Sequence, residues 1–218
     1  MRTGNDSVWE RREAYEYFSA FSNPFYMVTF RQDVTDLYRY TKSRGLSFYA
    51  GMIWACTQSI NDVGAFLVTM RDGEPVRLAR RDPSFTALKP GAEQFHIVTM
   101  EHIPDPDAFC LEADRLSKTQ DTFLDTEKES DSLIYSSCLP WIDLTALTNE
   151  RNLSAPGALD DSIPRLAWGK YTEENGRKTL GISMEVNHRF IDGVHIGRFA
   201  ERFNAYLSQL NARKTRGV

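Results

Sequence analysis

Between Leu180 and Leu210 the chain changes character in a way that suits acid–base chemistry. Leu180, Ile182, Met184 and Val186 alternate with other residues, as in a strand. Ile196, Phe199, Phe203, Tyr206 and Leu210 then recur at the spacing of an amphipathic helix. His188 falls where the strand ends, and Asp192 and Gly193 follow before the helix. Rigid backbone would hold a histidine there, while the turn leaves its ring free to face a cleft. Gly193 lets the chain swing tightly into the helix. An imidazole so placed, with an ordinary pKa of about 6.5, is a natural general base at neutral pH. His195, seven residues further on, has no evident chemical role. A metal site from His188, Asp192 and His195 would need a further ligand, and no other Cys or His lies nearby, so no metal is expected. His96 and His102 flank a strand-like run and read as surface or core residues.

The elements that would position these groups follow from periodicity and punctuation. Residues from Trp9 to Phe18 read as a short charged and aromatic helix, and Phe25 to Arg31 as a strand. Asp33 or Thr35 can cap a helix ended by Gly45, and Ser47 opens another, with Tyr49, Met52, Ile53, Cys56 and Ile60 on one apolar face. Phe66–Met70 and Pro75–Leu78 read as strands joined at Asp72-Gly73, a hairpin signal. Strand character returns at Thr86–Leu88, Phe95–Met100 and Leu133–Cys138, and a helix spans Asp105–Thr119. Residues 148–164 read as a long loop, and Leu166–Tyr171 with Thr179–Val186 as a hairpin turning at Glu174-Asn175-Gly176. The pattern predicts an α+β fold, a two-layer α/β sandwich with helices laid on a mostly antiparallel or mixed sheet.

Bulk properties narrow the function. The 218 residues, 41% of them hydrophobic, suffice for one domain over 1–218 with a large core. A net charge of −4, with Lys and Arg dispersed, gives no footprint for nucleic acid. Cys56, Cys110 and Cys138 are widely spaced beside apolar residues and read as buried thiols. The N-terminal residues lack a signal peptide's apolar core, and no apolar run reaches the roughly 18 residues of a membrane span. A cytoplasmic, soluble protein without membrane contact is expected.

Several short motifs occur in one order. Trp9-Glu10-Arg11-Arg12-Glu13 resembles a Trp-x-Arg-basic-Glu element, Ser137-Cys138-Leu139-Pro140-Trp141 a Ser-x-x-Pro-Trp element, and Gly169-Lys170-Tyr171 a small-Lys-Tyr element. His188-Arg189-Phe190-Ile191-Asp192-Gly193 completes the series as His-xxx-Asp-Gly. Together they resemble the chloramphenicol acetyltransferase family of coenzyme A-dependent acyltransferases, over nearly the whole chain. The resemblance implies an acetyl-CoA-dependent O-acetyltransferase with a small hydroxyl acceptor such as chloramphenicol. His188 would be the base and the Ser137 hydroxyl the oxyanion donor. Asp192 would pair with Arg11 and brace the turn, an arrangement suited to a bidentate Arg–carboxylate contact. Lys170 and Tyr171 would meet coenzyme A, at a phosphate and at adenine. The resemblance also implies a homotrimer with sites between subunits, and Tyr17, Phe18 and Phe95 as candidate walls of the acceptor pocket.

The sequence also departs from that pattern. Asn187 stands where a histidine is frequent, Phe18 where many members have tyrosine, and Ala167 where threonine is common. Asn149-Glu150-Arg151 replaces an apolar segment that lines the drug pocket. These positions concern the acceptor, so a different hydroxyl or thiol acceptor is one alternative and a trimeric binding protein without turnover is another. A lipoyl-type acceptor fits poorly, since 218 residues leave no room for a swinging-arm domain. A His–Asp–Ser hydrolase triad would use the same three side chains, but no Gly-x-Ser-x-Gly elbow is present.

Overall fold

The computed structural model describes residues 11–214, so Trp9 and Glu10 of the first motif lie outside the described residues. In chain order the elements are α1 (Arg12–Ser19), β1 (Phe25–Asp33), α2 (Thr35–Ser43), α3 (Phe48–Asn61), β2 (Val68–Arg71), β3 (Glu74–Arg77) and β4 (Asp82–Ala87). They continue with β5 (His96–Thr99), α4 (Pro106–Thr119), β6 (Leu133–Leu139), β7 (Arg165–Gly169), β8 (Thr172–Glu174), β9 (Arg177–Asn187) and α5 (Gly193–Lys214). The main sheet runs β1-β9-β7-β6-β4-β5, with β8 also paired to β9. It is mixed: β7, β6 and β4 are parallel, and the other pairs are antiparallel. Helices α2, α4 and α5 pack around α3, which itself rests on the sheet. This is the α+β sandwich that the sequence pattern predicts.

Strand β9 explains much of the assembly. Leu180, Ile182, Met184 and Val186 point into the helix layer and are no more than 1% exposed. The intervening residues Gly181, Ser183, Glu185 and Asn187 are buried as well, so the alternation does not mark a solvated face. The chain from about 142 to 161 crosses that face and is held there. Ser183 Oγ accepts from the Leu147 amide at 2.9 Å, and Glu185 from the Asn149 amide at 3.0 Å. The Asn187 amide group donates to the Leu159 and Asp161 carbonyls at 2.9 and 3.0 Å. At Gly169 and Gly181 the backbone of residues 142–144 comes so near that a Cβ would overlap it.

Helix starts largely follow the sequence signals. Ser47 Oγ accepts from the Ala50 amide, and Asp105 caps α4 by accepting from the amides of Asp107 and Ala108. Before α2, Asp33 Oδ1 accepts from both the amide and the hydroxyl of Thr35, although the N-cap position itself is Val34. The Asp72-Gly73 turn has positive φ at both residues and closes the β2–β3 hairpin. One expectation is extended and one corrected. Helix α3 is buried on every side from Ala50 to Ile60, since it lies between the sheet and three helices; Thr57 and Ser59 satisfy their hydroxyls on carbonyls one turn back. Phe66 and Leu67 belong to a 3-10 turn, and the strand begins only at Val68.

The backbone approach at β9 has a measurable consequence. Gly181→Ala sets a methyl against the Leu144 carbonyl, and both partners are backbone, so neither can yield by a rotamer change. The substitution should cost about 1–3 kcal/mol of stability, the usual range for overpacking. Thermal unfolding followed by circular dichroism tests this, and a Tm indistinguishable from that of the unaltered protein refutes it.

Candidate active site

His188 is the first residue beyond β9, and its amide donates to the Pro24 carbonyl at 2.8 Å. The rest of the turn is closed by backbone bonds from Phe190 and Ile191 to the Asn187 carbonyl, and from His195 and Ile196 to that of Asp192. The imidazole is stacked on Phe18 with ring centroids 3.8 Å apart, and Tyr26 lies against it at 4.2 Å. Its side chain retains 31% exposure, so one edge is open. Asp192 Oδ1 stands 3.2 Å from His188 Nε2, while Asp192 Oδ2 takes the Arg11 guanidinium. Arg11 also reaches the His188 carbonyl at 3.4 Å. The family resemblance implies a pair of Asp192 with Arg11; here the carboxylate touches the imidazole as well.

The electrostatics follow from these contacts. Burial lowers the His188 pKa below its ordinary value; Asp192 opposes this and Arg11 adds to it. The Arg11 hydrogen bond holds Asp192 below the usual carboxylate range. At neutral pH the pair is therefore a carboxylate beside a neutral imidazole, which is the form a base requires. His195 acquires a structural part: its Nδ1 accepts from the Asp192 amide at 2.9 Å at the start of α5. Burial lowers its pKa too, which keeps that nitrogen free to accept.

Asn187 and Arg189 clamp the same turn from either side of His188. The Arg189 guanidinium binds Asp160 at 2.6 Å, the Leu159 carbonyl at 2.8 Å and the Tyr15 hydroxyl at 2.5 Å. Asn187 holds the adjoining carbonyls and accepts from the Arg189 amide at 3.1 Å. Tyr26, whose hydroxyl donates to the Ile191 carbonyl at 3.2 Å, is a site residue that the sequence alone did not reveal. Its proximity depends on β1 pairing with β9, which no local motif announces.

Ser137 occupies a different place. The β4–β6 pairing ends at Phe85 and Ser136, and beyond it the strands part. A cleft of about 590 Å³ opens there, lined by Ser137, Thr86, Tyr49, Leu88, Phe95 and Trp141 among others. Ser137 Oγ lies 3.3 Å from Thr86 Oγ1. Cys138 beside it is inert, its thiol pushed up to about 12 by burial. Lys170 is exposed just past Gly169, which pairs with Leu139 of the cleft. The Tyr171 ring meets Phe48 and Tyr38, next to the cleft-lining Ser47 and Tyr49.

The residues singled out by sequence thus form two groups. Tyr17 and Phe18 accompany His188, whereas Phe95 accompanies Ser137. In register Ser137 faces Ala167 and Ala167 faces Ser183, five residues short of His188. Two strand spacings and five residues of rise put the two Cα atoms about 19 Å apart within one chain. A hydrolase triad inside one chain is thereby excluded. Among the described residues no group of three or more His, Cys, Asp or Glu is placed to hold a metal ion. None of the described helices is long and apolar enough to cross a membrane.

The Asp192 contact can be tested by titrating the His188 ring by NMR. Its midpoint should lie below the ordinary value of about 6.5. Asp192→Asn should lower it further, because the carboxylate raises this pKa; an unchanged or higher midpoint would show that the carboxylate does not raise it.

Comparison with known proteins gives these groups a context. A family model for chloramphenicol acetyltransferase matches residues 4–204. Chloramphenicol acetyltransferase 3 of Escherichia coli is 25% identical over 197 residues, covering 89% of this chain and 91% of the relative. A chloramphenicol acetyltransferase of Proteus mirabilis is 24% identical over 205 residues, covering 93% of each. A solved chloramphenicol acetyltransferase structure superposes with a TM-score of 0.80 at 24% identity, covering 91% of this chain and 95% of the other, which shows a shared fold. The chain belongs to the chloramphenicol acetyltransferase family of acyltransferases.

Proposed function

We propose that this protein is an acetyl-CoA-dependent O-acetyltransferase for a small hydroxyl compound, with chloramphenicol as the first acceptor to test. The observation that carries this reading is the half-exposed His188 ring, fixed by two aromatic rings and by an ionised Asp192 that Arg11 neutralises. Residues 1–218 would act as one catalytic domain. An acetyl-CoA donor accords with a cytoplasmic enzyme.

In the reaction His188 takes the proton of the acceptor hydroxyl as its oxygen attacks the thioester carbonyl. The oxyanion that forms is stabilised by the Ser137 hydroxyl; one such donor is worth about 3–4 kcal/mol. Collapse of the intermediate breaks the carbon–sulfur bond, and the imidazolium returns its proton to the departing thiolate. Asp192 steadies the transient positive charge on the ring. Lys170 and Tyr171, at the rim of the Ser137 cleft, would take the phosphate and adenine ends of coenzyme A.

His188 and Ser137 are too far apart to serve one substrate within a chain, so a working site needs two copies. We therefore propose a homotrimer in which the His188 group of one subunit, with Tyr17 and Phe18, faces the Ser137 cleft of the next, with Phe95. Exposed apolar side chains at both groups support this: Tyr17 is 63% and Trp141 71% exposed. A different small hydroxyl acceptor is the second reading. Asn187 is fully engaged with the 159–161 turn and Phe18 lies on the imidazole, so neither offers a free hydrogen-bonding group to the acceptor. A panel of hydroxyl compounds separates the two.

Release of free thiol from acetyl-CoA should depend on the acceptor, and His188→Ala should reduce kcat by about 10²–10⁴. Ser137→Ala should cost about 10²–10³. Full turnover by His188→Ala refutes the assignment of the base, and tight binding of drug and CoA without any product would make the protein a binder. Mixing unfolded His188→Ala and Ser137→Ala chains and refolding them together should restore part of the activity, because some interfaces then join two intact groups. If mixed assemblies form and remain as inactive as either parent, the site is not shared between chains.

A further inference from the structure

Behind the His188 turn lies a second cavity, of about 260 Å³, which acetyl transfer does not use. Its walls carry Arg11, Arg77, Arg189, Arg198 and His195, and among the described residues no carboxylate lines it. Two of the four guanidiniums have counter-ions: Arg11 has Asp192, and Arg189 has Asp160. Arg77 and Arg198 have no ion pair or hydrogen bond among the described residues. The Arg77 guanidinium lies over the bare backbone of Gly64, where an added Cβ would sit 2.8 Å from its Nη2. Arg198 follows His195 by one helical turn on α5, and its charge acts on that ring.

A further feature points to an external ligand. His195 brings the first turn of α5 to the wall, and the positive end of that helix adds to the potential. Like charges gathered in one small cavity repel each other and attract a counter-ion. Guanidinium forks match tetrahedral and planar oxyanions in paired hydrogen bonds, and two unneutralised forks call for a dianion.

We propose that this cavity is a binding site for a small phosphate-bearing anion, gripped by Arg77 and Arg198, with Arg11 and Arg189 adding to its positive charge. Its chemistry does not depend on which acceptor the enzyme acetylates. Arg11 and His195 also hold Asp192, so an anion here shares two residues with the support of the His188 turn.

Calorimetric titration of the full-length protein with inorganic phosphate, in a zwitterionic buffer at low salt, tests the site directly. One saturable site per chain is expected. The double substitution Arg77→Ala, Arg198→Ala should weaken binding by about ten-fold or more. Lys170→Ala should leave it unchanged, which separates this cavity from the coenzyme side. Should the double variant fail to fold, Arg77→Gln and Arg198→Gln, measured singly, carry the same comparison. No saturable binding by the unaltered protein up to about 20 mM phosphate, which would fill a site of about 1 mM Kd to roughly 95%, overturns the proposal. So does binding that survives the arginine substitutions or is lost in Lys170→Ala. Binding that emerges only in Asp6→Asn, Glu10→Gln protein would mean that the chain fills the cavity with its own acidic residues, and it too overturns the proposal.

Discussion

The buried polar face of β9 is the constraint on which the rest depends. Ser183, Glu185 and Asn187 are at most 5% exposed, so each must find a partner or cost about 1–3 kcal/mol. The crossing segment supplies partners to all three, in matching order: Leu147, Asn149 with Arg151, then Leu159 and Asp161, while Asn187 also accepts from the Arg189 amide. A slip of β9 by one residue would turn Leu180, Ile182, Met184 and Val186 toward the polar segment and the polar side chains into the helix layer. Register is therefore fixed from both faces, and His188, one residue past the last ladder pair, inherits that precision.

Charge follows the same economy. Arg151 joins Glu185 and Asp161 and lies over the Phe25 ring, while Arg165 shares Asp161, so the covering segment has its buried charges paired. Arg81 solves a similar problem without a carboxylate. It is fully buried and donates to the carbonyls of Phe66, Val68, Asp131, Leu133 and Ser162, which ties the β2–β3 hairpin and the long loop to the start of β6. Burial drags its pKa down to about 10, still high enough to keep the charge at neutral pH. Around His188 the sum is different. Desolvation outweighs the attraction of Asp192 because Arg11 cancels much of that carboxylate's field, and the ring stays neutral.

Much of this was legible in the sequence wherever the signal is local. The helix start at Ser47, the Asp72-Gly73 turn and the β7–β9 hairpin each rest on one or two residues whose chemistry admits few conformations. The alternation of β9 was legible too, but its meaning was not, because a period of two cannot tell a face covered by loop from one covered by water. Helix α3 was legible only in part for a related reason: its apolar stripe is real, yet Thr57, Gln58 and Ser59 are also buried, by neighbouring helices that come from distant sequence. At the site, motif order marked His188, Asp192, Arg11 and Ser137. It could not show that Tyr26 and Thr86 adjoin them or that Phe95 lies with Ser137, since those contacts arise from strand pairing.

The opening beside Ser137 shows how a sheet can hold a cleft at small cost. Past Phe85 and Ser136, β4 remains paired to β5 as far as Ala87 and His96, and β6 remains paired to β7 as far as Leu139 and Gly169. Each strand loses hydrogen bonds only on the side that faces the gap. One of the freed groups, the Thr86 carbonyl, is taken by the Tyr49 hydroxyl at 2.7 Å, reaching over from α3. Burial raises that phenol well above its ordinary pKa, so it stays protonated and keeps donating. The same ring packs on Phe85 and Trp168, which keeps helix and sheet in register at the mouth of the cleft. A parallel pair suits such a parting because no short turn joins its strands at either end, so the gap can widen without breaking a hairpin. The hydroxyls of Thr86 and Ser137 then face each other across the break, where a backbone ladder would otherwise have continued.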